Sequence, residues 1–388
     1  MTGYAFPERS AAHAPAVPER AFAAALSSFP AMTLKRLTAL LRQYPPADAY
    51  AVAAGDAAPA GLIARVLSDA EVGARWRRHA ATDPVGRAWD RCGEAGVHVT
   101  HLGAADYPTL LDGDPDPPPV LFTRGDHTLL ESGRRVAVVG TRNATAAGRD
   151  AAYRIGAGLA TAGVHVVSGL ARGIDGCAHR GTVEVEADGR PIGVVASGLD
   201  VVYPREHRQL WDAVAATGLL ISEAAPGTAP EAYRFPLRNR IIAGLAEVVV
   251  VVESREKCGS LITAAAAGER GIPVMAVPGG LHSRASFGTN NLLREGSGAV
   301  VDATDVLIAL SLEHRRSVPV LAEQRPRPRK DDLAVYEACA GEPRSIDAIT
   351  LLTGVGFTEA AMSLARLEQA GWLGTSDGWY QSVGAPLR

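Results

Sequence analysis

Between about residues 134 and 312, short runs of β-branched residues alternate with stretches in which apolar residues recur at helical spacing. Apolar strands separated by helical crossovers are typical of a mainly parallel sheet that is covered on both faces. The pattern therefore predicts an α/β core, in which ligands bind at the carboxyl ends of the strands. Predicted strands cover residues 136–140, 164–168, 192–196, 219–222, 248–253, 274–277 and 299–301, and predicted helices cover residues 151–162, 206–217, 237–245 and 261–270.

The pattern changes on both sides of this core. Residues 1–18 are rich in Ala and Pro and predict a flexible tail. Residues 19–101 carry leucines at helical spacing and predict a small helical domain, which leaves residues 102–313 for the α/β domain. Residues 314–330 hold six basic residues and three prolines, which predicts an extended, exposed linker. Residues 331–388 show three helical segments and a hairpin, the order typical of a winged helix.

Composition excludes several functional classes. Of the 388 residues 47% are apolar, and the formal net charge of −3 excludes a globally basic nucleic-acid binder but allows a local basic groove. No run of about 18 apolar residues occurs, so no membrane span is expected, and residues 1–20 do not read as a signal peptide. The four cysteines form no CxxC pair, which fits a reducing cytoplasm and predicts neither disulfides nor a metal site. None of the three lysines stands in a P-loop motif.

Three turns that contain glycine follow predicted strands and open helices. Glycine lets backbone N–H groups approach an anion, and the N-terminus of a helix adds partial positive charge. Arg142 and Arg172 lie inside two of these turns, so we expect the turns to bind phosphate. None of them reads GxGxxG, which makes a dinucleotide coenzyme a poor fit and predicts no cofactor. The glycines of the turns are Gly140, Gly169, Gly173 and Gly259.

A fourth element begins at Phe235 and continues as Arg238, Asn239 and Arg240 at the start of a predicted helix. Cations at the N-terminus of a helix oppose the helix dipole, and an anion bound beside them would relieve that conflict. Phe235 is placed to stack on a nucleobase, as aromatic residues do in proteins that bind single strands.

Each of these residues also has a purely structural interpretation. Arg142 and Arg172 would pair with a carboxylate such as Asp175 or Glu223. Phe235 would be a core aromatic beneath the loop. Asp175 fits the N-cap of a helix better than a general base. The histidines show no HExxH motif, so no catalytic or metal-binding constellation is predicted.

Several motifs, in this order along the chain, resemble the DNA-processing protein A family, also called DprA or Smf. Two positions depart from the pattern of that family, because Cys258 and Thr289 stand where serine is usual. Both changes are small and preserve the role of the backbone. The motifs are residues 106–111, 118–126, 139–142, 168–175, 198–204, 221–223, 235–245, 259–264, 277–279 and 288–293.

The resemblance implies an extended Rossmann-like domain that binds single-stranded DNA, protects incoming DNA and loads the RecA recombinase onto it during natural transformation. It also implies a cytoplasmic homodimer that has no catalytic activity and no membrane association. A SAM- or HhH-like fold is expected for the helical N-terminal domain, and a winged helix at the C-terminus. The DNA contacts carried over by motif are Arg142, Arg172, Phe235, Arg238, Asn239, Arg240, Lys257 and Ser260.

Two other functions stay open. Phosphoribohydrolases and nucleotide sensors of a related Rossmann-like group carry PGGxGTxxE, and Pro278-Gly279-Gly280 begins similarly, but the required glutamate is absent. A sequence-specific regulator would use the winged helix. Residues 331–388 hold eight acidic and three basic groups, a charge of −5, so they lack the cations that a major groove requires. We therefore expect this module to contact protein or to inhibit the DNA-binding domain.

Overall fold

The computed structural model describes residues 17–310, 325–340 and 342–383. Nine strands form one sheet in the order β1-β2-β6-β5-β4-β3-β7-β8-β9. Strands β3 to β9 are parallel to one another. At one edge of the sheet, β2 runs antiparallel to both of its neighbours, β6 and β1. The strands are β1 His98–His101, β2 Val120–Gly125, β3 Arg135–Val139, β4 His165–Ser168, β5 Pro191–Val195, β6 Leu219–Ser222, β7 Val248–Val251, β8 Val274–Ala276 and β9 Gly298–Ala299.

Helices cover both faces of this sheet, as the sequence predicts. Along β3, Val136 and Val138 face one layer of helices while Ala137 and Val139 face the other, because side chains alternate between the faces of a strand. The first layer contains α8, α9 and α14, and the second contains α7, α11 and α12. These helices, with two more at the ends of strands, are α7 Thr109–Asp112, α8 Ala146–Thr161, α9 Ile174–Glu184, α10 Arg208–Thr217, α11 Arg234–Gly244, α12 Gly259–Glu269, α13 Phe287–Arg294 and α14 Ala303–Ala309.

Six short helices precede the sheet, but the predicted boundary near residue 101 needs correction. Residues 98–101 form β1, so the helical region ends with α6. The helices also share a core with the sheet: Leu40 and Trp76 belong to the same buried cluster as Phe122 and Trp211. The six helices are α1 Glu19–Ser27, α2 Leu34–Gln43, α3 Pro46–Ala54, α4 Gly61–Leu67, α5 Ala70–Thr82 and α6 Val85–Glu94.

The C-terminal segment has the predicted order of three helices and a hairpin, with one additional short strand. Trp372 is buried at its centre, 5.5 Å from the ring of Tyr336, and donates a hydrogen bond to the carbonyl of Pro326 at 2.7 Å. Its winged-helix assignment stays a prediction. The elements are α15 Leu333–Ala338, β10 Arg344–Ser345, α16 Ile346–Thr353, α17 Phe357–Gln369, β11 Leu373–Ser376 and β12 Trp379–Ser382.

Most of the predicted tail and linker lies outside the described residues, which omit 1–16 and 311–324. In the described end of the linker, Arg325 lies over Trp372 at 3.8 Å and donates to the carbonyl of Gly371 at 2.9 Å. Residues 326, 327, 329 and 330 are exposed, as expected. In the described ranges no single helix is long and apolar enough to cross a membrane. The pair α16 and α17, bent by 112°, passes that test only when taken together.

Candidate functional site

A cleft of about 640 Å³ opens where β3 and β7 end, between the turn after β3 and the first turns of α11 and α12. A Cβ at Gly140 would lie 2.8 Å from the carbonyl oxygen of Glu253, so glycine lets the chain turn closely beside the end of β7. We call this the first cleft. Its lining includes Thr141, Arg142, Tyr203, Phe235, Arg238, Asn239, Arg255, Lys257 and Ser260.

Three exposed cations give the first cleft a positive charge. Arg142 lies in the turn after β3, and Arg255 and Lys257 precede α12. None of the three has an ion-pair partner among residues 17–310, 325–340 and 342–383. The sequence left open that Arg142 pairs with a carboxylate, but the structure places its guanidinium over an aromatic ring instead.

That ring belongs to Phe235, at the start of α11. The guanidinium carbon of Arg142 lies 4.6 Å from the centroid of Phe235, and the ring of Tyr203 lies 5.5 Å away at an angle of 49°. Phe235 is half-buried and Tyr203 is 42% exposed. Phe235 is therefore no core residue but part of an aromatic surface in the cleft, where a planar ligand can stack.

Asp175 and Arg238 form the floor of the first cleft and fill the turn after β4. The Asp175 carboxylate accepts a hydrogen bond from the N–H of Gly169 at 3.2 Å. Arg238 donates to the carbonyl of Gly169 at 2.9 Å and to that of Val194. The structure thus differs from the expected phosphate site at Gly169, because a carboxylate of the protein takes that N–H group. The phosphate role of Gly173 stays a prediction.

Two titratable groups of opposite sign lie close together in this floor. Burial raises the pKa of the Asp175 carboxyl, while Arg238 and the backbone N–H groups of Gly140 and Gly169 oppose that shift. Burial also lowers the pKa of Arg238 to about 10, so the guanidinium is still charged near neutral pH. Asp175 is the second residue of α9 and neither its N-cap nor an accessible base.

Two of the predicted DNA contacts lie outside the first cleft. Arg240 is buried, and its Nε and Nη2 donate to Asp116 at 2.8 Å and to Glu223 at 2.7 Å. Arg172 is exposed but pairs with Glu206. The expected conflict with the helix dipole therefore does not call for an external anion: Arg240 pairs with two carboxylates, and Arg238 donates to two backbone carbonyls beside Asp175.

Asn239 and Ser260 lie in the first cleft, where Asn239 joins α11 to α12 and Ser260 joins α12 to the loop after β7. Asn239 donates to the carbonyl of Gly259 at 3.0 Å, and the hydroxyl of Ser260 donates to that of Ser254 at 3.0 Å. Burial raises the pKa of the neighbouring Cys258 thiol, but hydrogen bonds, chiefly from Ser260, outweigh it and leave the pKa lowered. These contacts fix the start of α12 beside the cations.

Sequence reasoning did not single out two residues of the first cleft. Arg255 stands two positions before Lys257 in the same charged run, which was a usable signal. Tyr203 lies 32 residues before Phe235, since 235 − 203 = 32, and only the fold shows that the two rings meet. In the described part of the chain, no group of three His, Cys, Asp or Glu residues is arranged to hold a metal ion.

The family model described as DNA recombination-mediator protein A matches residues 98–311, more than half of the chain and all of the sheet. The chain belongs to this family. The DNA processing protein DprA of Bacillus subtilis (strain 168) is 45% identical over 213 residues, which is 55% of this chain and 71% of that protein. Protein Smf of Escherichia coli (strain K12) is 35% identical over 289 residues, 72% of this chain and 76% of that protein.

Two solved structures of the DprA family resemble the fold. The X-ray structure of DprA from Streptococcus pneumoniae gives a TM-score of 0.62 at 28% identity, over 75% of this chain and 98% of that one. A structure of DNA processing protein A from Helicobacter pylori, described for its single-stranded DNA binding mode, gives 0.50 at 28% identity, over 56% of this chain and 97% of that one. The expected Rossmann-like α/β fold of the family is thus confirmed.

Proposed function

We propose that this DprA-family chain binds single-stranded DNA in the first cleft without cleaving or modifying it. Arg142, Arg255 and Lys257 would hold the phosphates, and bases would stack on Phe235 and Tyr203. The observation that carries this proposal is a group of three cations around two aromatic rings at the ends of parallel strands. None of these cations has an ion-pair partner in the described part of the chain.

The same geometry argues against a nucleotide-processing enzyme. The N–H group of Gly169, which would bind a nucleotide phosphate, is taken by Asp175. Asp175 is itself buried beside Arg238, so it is out of reach of a substrate proton. The phosphoribohydrolase and nucleotide-sensor alternatives therefore find no support in this cleft.

In the cell, we infer that the bound strand is incoming DNA that is protected and handed to the RecA recombinase in the cytoplasm during transformation. The family description as a recombination mediator and the DprA relatives support this inference.

We also infer a homodimer formed by the α/β domain. The short edge strand β9 is followed by Val301, which is 83% exposed, and Ile308 on α14 is 52% exposed, so this edge offers an apolar surface to a second copy.

Fluorescence anisotropy with a labelled single strand and the matching duplex tests the proposed function. The wild type should bind the single strand more tightly than the duplex, and Arg142→Glu combined with Lys257→Glu should abolish binding. Arg294→Glu is the matched control, because Arg294 is exposed on α13 outside the cleft. Equal single-strand affinity of the double variant and this control would refute the site.

A further inference from the structure

A larger cavity lies on the other side of the first turn of α11. Its volume is about 970 Å³, and it opens between the helices that precede the sheet and the carboxyl ends of β5 and β6. We call it the second cleft. Arg238 lines both clefts, so only the start of α11 separates them. Its lining includes Phe29, Leu37, Asp116, Glu223, Tyr233 and Leu237.

The ridge between the clefts carries an arginine–aromatic pair on each side. Arg142 lies over Phe235 in the first cleft, and Arg234 lies over Tyr233 in the second, with 5.2 Å from the guanidinium carbon to the ring centroid. Tyr233 is 57% exposed and Leu237 is 44% exposed. Two large side chains on a solvent-facing ridge offer a second stacking surface.

The two clefts differ in charge. Four basic residues and one acidic residue line the first cleft, whereas four basic and three acidic residues line the second, which is therefore nearly balanced. Its most buried acid is Glu223, whose Oε1 accepts from Arg240 at 2.7 Å. No hydrogen bond to its Oε2 is found in the described part of the chain, and Glu223 lines the second cleft. A free carboxylate oxygen repels phosphate but accepts a hydrogen bond from an amino group of a base.

We propose that the second cleft binds a base of the same DNA strand that the first cleft holds by its phosphates, and that Glu223 selects bases with an exocyclic amino group. This inference rests on the proposed function of the first cleft. The strand crosses the ridge at Pro236, one base stacks on Tyr233 and Leu237, and the amino group donates to Glu223. Cytosine satisfies Glu223, whereas the O4 atom of thymine points an acceptor at an acceptor.

Anisotropy titrations of the full chain with homo-dC and homo-dT oligonucleotides of equal length test this proposal. The wild type should bind homo-dC roughly tenfold more tightly than homo-dT. Tyr233→Ala combined with Leu237→Ser should bring this ratio close to one while leaving the salt dependence of binding unchanged. Lys257→Gln should leave this ratio unchanged and weaken the salt dependence of binding. Phe287→Ala is the matched control, because Phe287 is exposed outside both clefts.

The possible failures are distinguishable. If neither oligonucleotide binds, the proposed function falls and this inference falls with it. If both bind equally well, only the base-selective second cleft is overturned. A preference for dC that survives in the Tyr233→Ala, Leu237→Ser variant also overturns the base-selective second cleft. If that variant has then lost recombinase loading, the surface is assigned to a protein partner instead.

Discussion

Replacing Arg238 with methionine separates a structural role of this residue from a DNA-binding role. Arg238 is buried beside Asp175 and donates to two backbone carbonyls, those of Gly169 and Val194. Methionine fills a similar volume but leaves the carboxylate of Asp175 without its cation. Breaking a buried pair by removing one partner costs about 3–5 kcal/mol. For a domain of this size, each kcal/mol lowers Tm by about 2–4 °C, so we expect Tm to fall by at least about 6 °C.

The pH dependence of this loss follows from the pKa of Asp175. Burial raises that pKa, and removing Arg238 raises it further, so the native variant binds a proton more tightly than its unfolded chain does. The stability lost at neutral pH should therefore be partly regained as pH falls toward the pKa of Asp175 in the variant. Adding Asp175→Asn should recover part of the loss at neutral pH, because the uncompensated charge is then gone.

Thermal unfolding followed by circular dichroism, paired with single-strand titration, provides the assay. Lys257→Met is the control, since Lys257 is exposed and without a described partner, and its free energy of unfolding should change by no more than about 0.5 kcal/mol. If Arg238→Met melts with the wild type yet loses DNA affinity as Lys257→Met does, Arg238 is a DNA contact and the structural reasoning is refuted.

Three further predictions concern the DNA surface, the C-terminal module and the oligomer. Phe235→Ala should weaken single-strand binding by about 1–3 kcal/mol in anisotropy titrations because a stacking surface is lost; unchanged affinity would contradict the aromatic site. A chain ending at Lys330 should keep or gain single-strand affinity, since the first cleft is built from residues before 264; a tenfold loss would assign DNA contacts to the C-terminal module. Light scattering at micromolar concentration should report twice 40.4 kDa, and Val301→Glu should halve it; a wild-type monomer would refute the dimer.

Most of the parallel strands could be predicted because they are buried on both faces and form short apolar runs rich in Val, Ile and Leu. The edge strand β1 could not, since His98 and Thr100 interrupt it with polar residues. Helix α9 was also missed, because its glycines lower helix propensity. The glycines of α9 allow close packing against α8: a Cβ at Gly181 would lie 2.9 Å from the carbonyl carbon of Tyr153. Close contact between two helices is a tertiary property that a local pattern does not carry.

The candidate site was predictable as a set of turns but not as a set of side-chain directions. The motif of residues 235–245 brings Arg238 and Phe235 to the glycine turns, whereas Arg240 lies outside the first cleft. Which way each arginine points depends on distant carboxylates: Asp116 is 124 residues from Arg240, and Asp175 is 63 residues from Arg238, since 238 − 175 = 63. These partners meet only when the sheet is assembled.

The salt dependence of single-strand binding tests the central claim most directly. For single strands, each phosphate contact contributes about −0.7 to the slope of log K against log salt concentration. Replacing Arg142, Arg255 and Lys257 together with glutamine should therefore reduce the magnitude of that slope by about 2 per binding site, while Arg294→Gln leaves it unchanged. A triple variant whose slope equals that of the wild type would contradict the claim that these three cations hold the DNA backbone.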